Sequence, residues 1–110
     1  MKQYIKSDEY TYDEMVDDTK YILKQYGWEL KDIDINLNHS TITMYSPKFN
    51  TLAGYSVDHI KDRAGEQHVY TNCYLIEIYK NLDVEKLYGL QQQLMSLWND
   101  IDEAMDVFVE

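Results

Sequence analysis

Apolar positions recur at helical spacing in two segments of the chain and alternate in the stretch between them. The longest helical segment runs from Leu82 to Glu110. On a wheel of about 100° per residue, Leu87, Leu90, Leu94, Leu97, Trp98, Ile101, Met105 and Phe108 share one side, with Ala104 at its margin. Asp102, Glu103, Asp106 and Glu110 fall on the other. Asp83 supplies an N-cap, and Leu82 and Leu87 stand at the spacing of a hydrophobic staple. A first helix begins at a capping box, Thr11 with Glu14, and carries Met15, Thr19, Ile22, Leu23 and Tyr26 on one face. Gly27 then offers a left-handed position that closes the helix and lets Trp28 fold back on Leu23.

Between the helices the period drops to two. Asp32 to Asn38 alternates, with Ile33, Ile35 and Leu37 on one face, and Asn38-His39-Ser40 turns the chain. Thr41 to Tyr45 alternates again with Ile42 and Met44 inward. A loop containing Pro47 leads to a third strand, Leu52 to Ile60, carrying Tyr55 and Val57. Gly54 within it marks a bulge or a close approach to the backbone. After a polar turn, Lys61 to Glu66, a long strand from His68 to Lys80 is apolar on both faces. Tyr70, Tyr74, Ile76 and Ile78 share one of them, and Val69, Cys73, Leu75 and Tyr79 the other.

Short connections between alternating strands favour an antiparallel meander. Each helix has one apolar stripe to bury, and one sheet face can take both. The pattern therefore predicts a single α+β domain over residues 1–110: a two-layer α-β-β-β-β-α fold with a meander sheet of three to four strands. The count is three if the Leu52 segment is irregular. Leu94, Trp98 and Ile101 are expected to pack on Ile33, Ile35, Ile76 and Ile78, joined by Ile22 and Leu23. The other sheet face would be polar and acidic, with Asp32, Asp34, Asp58 and Glu77 beside Tyr45 and Tyr79.

Charge changes this picture most. The formal net charge is −10 over 110 residues, a level that favours solubility and cationic partners and disfavours nucleic acid and anionic membranes. In the first helix Asp13, Glu14, Asp17 and Asp18 come early and Lys20 and Lys24 late, as the helix dipole prefers. The last helix does the opposite, with carboxylates crowding its C-terminal turns and no Lys or Arg after Lys86. A local rule broken in this way marks a functional surface. The expected partner-binding set is Tyr88, Met95, Asp100, Asp102, Glu103, Asp106 and Glu110, with the acidic sheet face as a secondary surface.

Candidate chemistry is thin. His39, His59 and His68 form no metal-ligand spacing with one another or with Cys73, and neighbouring Asp58 and His59 point to opposite faces of a strand. Asp32 and Asp34 share a face about 7 Å apart, which solubility explains as well as cation binding does. No phosphate-cradling glycine loop is present. The expectation is a protein without enzymatic activity, cofactor or metal. The lone Cys73 and the absence of a signal-like apolar run at the N-terminus fit a cytoplasmic protein, and no stretch is long and apolar enough to span a bilayer.

Lys, Asn, Ile and Tyr are plentiful and Ala, Pro and Arg scarce, a usage that matches an AT-rich genome such as a low-GC bacterium or its phage. In size, charge and tyrosine content the chain resembles phage-encoded DNA mimics: anti-restriction proteins, anti-CRISPR proteins and uracil-DNA glycosylase inhibitors. The resemblance implies an inhibitor that occupies the basic nucleic-acid-binding site of a partner such as a nuclease, as a nuclease-immunity protein also would. The other expectation is a small regulatory or structural subunit, monomer or homodimer, that associates through its last helix.

Overall fold

The computed structural model describes residues 12–36 and 38–105. In chain order these form α1 (Tyr12–Gln25), β1 (Glu29–Asp34), β2 (His39–Ser46), β3 (Thr51–Lys61), β4 (Gln67–Ile78) and α2 (Val84–Ala104). The four strands make one antiparallel sheet in the order β1-β2-β3-β4, the expected meander. Both helices cover the same face, α1 against α2 and β1, and α2 also against β4.

The helix boundaries follow from local chemistry. Gly27 takes φ +79°, the Trp28 N–H reaches the Leu23 carbonyl at 2.9 Å, and the Gly27 N–H reaches Lys24 at 3.1 Å. This Schellman closure drops the Trp28 ring into the core. At the start of α2 the Asp83 carboxylate accepts from the Lys86 N–H at 2.8 Å, the predicted N-cap. Thr11, Asp106, Phe108 and Glu110 lie outside the described residues.

The core holds Met15 and Leu23 from α1, Ile42 and Met44 from β2, and Ala53, Tyr55 and Val57 from β3. Val69 joins from β4, and Leu90, Leu97, Ile101 and Met105 from α2 and its C-cap. Leu94, Trp98, Ile22, Ile33 and Ile78 pack around them.

Two expected core residues are not there. Ile35 is 40% exposed because β1 ends with the Asp34–Thr41 pair; the strand starts earlier than its alternation implied and is bulged at Lys31, between Leu30 and Asp32. Ile76 is 47% exposed because the covered face of β4 is that of Val69, Thr71 and Cys73. Tyr55 pairs with Cys73 and Val57 with Thr71, so these partners point the same way. The register then slips: Ala53 pairs with Leu75 but Leu52 with Glu77. Ile76 is the extra residue, and the slip returns Ile78 to the helix side. A strand with apolar residues on both faces cannot signal which face is covered; its neighbour's register decides.

Truncating Leu97, which is fully buried, to Ala should cost about 2–5 kcal/mol in urea unfolding. Ile76→Ala should cost less than about 1 kcal/mol. Equal losses would place the covered face of β4 wrongly.

Candidate functional site

The last helix carries polar groups along both margins of its apolar stripe, and aromatic side chains claim them. On the α1 side, Tyr26 donates its hydroxyl to Asp100 Oδ2 at 2.5 Å, and Trp28 Nε1 donates to Gln93 Oε1 at 2.8 Å. On the β4 side, Tyr55 donates its hydroxyl to Asp102 Oδ1 at 2.5 Å. Trp98 Nε1 donates to Thr71 Oγ1 at 2.8 Å, and Thr71 in turn donates to Asp102 Oδ2 at 3.3 Å. The Tyr55 ring is 1% exposed, so its hydroxyl needs an internal acceptor, and Asp102 is the one that α2 provides.

Electrostatics follow from this seam. Burial, and then the Asp102 hydrogen bond, hold the Tyr55 hydroxyl far above the ordinary tyrosine range. The Asp100 hydrogen bond raises Tyr26. Burial, with the Asp102 charge nearby, pushes the Cys73 thiol up to about 12, which keeps it protonated. Asp102 itself is raised: burial outweighs the two hydrogen bonds that pull its carboxyl down.

The predicted partner-binding set therefore does not form one outward surface. Asp100 and Asp102 turn inward to α1 and to the sheet, on opposite margins of α2. Glu103, Tyr88 and Met95 remain exposed, Glu103 beside α1 and Met95 beside β4, and Asp106 and Glu110 lie outside the described residues. Sequence reasoning missed the seam. Its signal was a tyrosine on the covered face of an inner strand, which always needs a partner for its hydroxyl.

The second predicted surface is brought together. Asp32 and Asp34 pair with Thr43 and Thr41, Asp58 with His39, and Glu77 with Leu52, all on the face opposite α1 and α2. Tyr45, Tyr70, Tyr74 and Tyr79 are interleaved with them. Tyr45 lies 6.4 Å from the Tyr79 ring, donates to Asn50 Oδ1, and carries Lys31 Nζ 5.6 Å from its ring centre. Tyr74 lies across Gly54, where a Cβ would come within 2.6 Å of its ring. The close approach anticipated at Gly54 is thus that of an aromatic ring across the strand pair.

His39 opens β2 instead of sitting in the turn, and it pairs with Asp58 from the next strand. His59, the sequence neighbour of Asp58, is shifted down by burial and is not the partner in that pair. At the β3–β4 turn, Asp62, Glu66 and His68 each bring one ligand-type atom within 4.8 Å of the others. The Asp62 carboxylate is already engaged: Oδ1 accepts from the Ala64 and Glu66 N–H groups, and Oδ2 meets His68 Nε2 at 2.9 Å. These contacts, the His68 hydrogen bond first, lower the Asp62 pKa and close the turn. Compared with protein-family models, curated proteins and solved structures, the chain matches none.

A carboxyl raised by folding adds stability below its ordinary pKa of 3.8 and loses it as pH climbs through the folded value. Asp102→Asn keeps an acceptor for Tyr55 and removes that titration. Urea unfolding across acid to neutral pH should show the variant gaining on wild type over that window, then running parallel. A gain as pH falls would mean that Asp102 is stabilised as a carboxylate.

Proposed function

We propose that this protein is an acidic binding module that occupies the basic nucleic-acid-binding site of a partner protein, in the manner of a DNA mimic. The supporting observation is the sheet face opposite the two helices, where Asp32, Asp34, Asp58 and Glu77 share a surface with Tyr45, Tyr70, Tyr74 and Tyr79. Carboxylates two residues apart on β1 stand about 7 Å from each other, and strands two apart lie about 10 Å from each other. The first spacing equals about two phosphate rises along a strand, at ~3.4 Å each, and the second approaches the width of a major groove, ~12 Å. The tyrosines supply large, rigid contact area between the charges, the composition that favours hot spots at protein interfaces.

The protein acts in this reading by occupation and not by catalysis. Its partner is a nuclease or similar nucleic-acid enzyme of a bacterial host, and its source a phage or mobile element, as for anti-restriction, anti-CRISPR or nuclease-immunity proteins. The low-GC residue usage and the net charge of −10 support that assignment. The internal use of Asp100 and Asp102 favours the sheet face over the end of α2 as the contact surface.

The test is capture by the immobilised protein of a panel of basic enzymes: a restriction endonuclease, a Cas nuclease and a uracil-DNA glycosylase. One of them should bind, elute as salt rises past the point where the Debye length falls below ~10 Å, and be displaced by duplex DNA. The Asp32→Lys/Asp34→Lys/Glu77→Lys variant should keep a native circular dichroism spectrum and lose at least about tenfold in affinity, roughly 1.4 kcal/mol. Undiminished binding would remove the sheet face from the proposal. Binding insensitive to salt and DNA would remove the mimicry.

A further inference from the structure

The two edges of the sheet are built differently. The β1 edge is short and bulged, and four of its six residues are charged: Glu29, Lys31, Asp32 and Asp34. These are the usual devices that stop a strand edge from pairing with another chain. The β4 edge has none of them along Val69–Leu75. That stretch is regular in register, lies beyond β3 with no strand outside it among the described residues, and contains no Pro or charged residue. Alternate residues of an antiparallel edge strand turn their N–H and C=O groups outward.

The helix beside this edge is equally neutral. From Leu87 to Asn99, α2 carries no charged side chain, in a chain where 27% of residues are charged. Its Leu87, Gln91, Leu94 and Met95 line a groove with Cys73 and Leu75 of β4. Leu75 is 46% exposed and Met95 57%, so both present apolar surface.

We infer that the β4 edge and this groove form the interface of a homodimer. The two copies pair β4 antiparallel to β4 about a two-fold axis normal to the sheet, doubling the four-stranded sheet. The occupant is a second copy because the surface is self-complementary in the way that such an axis requires: an edge strand that can pair with itself beside an apolar stripe. Charge points the same way. At net charge −10 two copies repel each other over most of their surface, and this uncharged edge is where they can meet without opposing carboxylates. The contact is small, the seven residues of Val69–Leu75 and the outward positions of α2 against roughly 20 residues per side of a standard interface, which suits a dimer that forms as concentration rises. Both helix layers then lie on one face of the joined sheet, and the two acidic open faces merge on the other. The inference stands independently of the partner proposed above.

Sedimentation equilibrium of the full chain, from micromolar to submillimolar concentration, should give twice 13.2 kDa at the upper end. The dimer should hold or strengthen at high salt, because salt screens the repulsion between two acidic copies; contact with a basic partner responds with the opposite sign. Leu75→Lys/Met95→Lys places like charges across the axis and should return the chain to a monomer with a native circular dichroism spectrum. Ile60→Lys, on an exposed residue away from the groove, should leave the dimer intact. Amide exchange along Val69–Leu75 tests the same contact without substitution, since protection at alternate positions should grow with concentration. A wild-type chain that remains at 13.2 kDa throughout overturns the inference. So does a dimer that salt dissociates, one that survives both introduced lysines, or edge amides whose exchange ignores concentration.

Discussion

The Tyr55 hydroxyl sits under α2 on the covered face of an inner strand, where water does not reach it, and its partner has to come from the helix above. Asp102 is that partner, and accepting the bond fixes more than one contact. The same carboxylate takes the Thr71 hydroxyl, which takes the Trp98 indole N–H, so β3, β4 and α2 share one chain of donors and acceptors. Burial of an ionised carboxylate is costly, and two hydrogen bonds offset that only in part, as its raised pKa shows. Hydrophobic packing alone would tolerate some rotation of α2 about its axis. The polar chain does not, because a small turn would leave the buried Tyr55 hydroxyl without a partner, at a cost of about 1–3 kcal/mol.

A matching seam holds the other side of the helix. Tyr26 and Trp28, placed by the closure of α1 at Gly27, reach Asp100 and Gln93. The rotation of α2 is therefore set from both flanks by aromatic donors, with Leu90, Leu97 and Ile101 buried between. Asp100 and Asp102, two of the carboxylates near the end of this helix, have internal donors in return, which accounts for part of the frustration that the pattern of charges implied.

The placement of α2 also distributes the surface. With Asp100 and Asp102 engaged inside, the acidic character of the described residues is carried by the outer side of α1, by β1 and by the open sheet face. The neutral run of α2 comes to lie beside the neutral run of β4. One edge of the sheet is guarded by charge and a bulge, the other has neither along Val69–Leu75, and the difference arises from which uncharged segments the fold brings side by side.

Periodicity and caps alone determined most of the architecture. The capped start of α2, the glycine closure of α1, the inward Ile42 and Met44 and the order of elements all rest on contacts within a few residues, and those are legible along a chain. Part of the acidic open face was legible as well, because Asp32 and Asp34 alternate with Ile33 beyond the bulge of β1. Which face of β4 meets the helices was decided only by its pairing with β3, including the slip at Ile76, since a strand apolar on both sides contains no signal of its own. The partners of Tyr55, of Asp58 and of Asp102 were decided by tertiary structure too. Each lies 19 or more positions away in sequence, and hydrogen bonds of that separation exist only once register and helix rotation have been set.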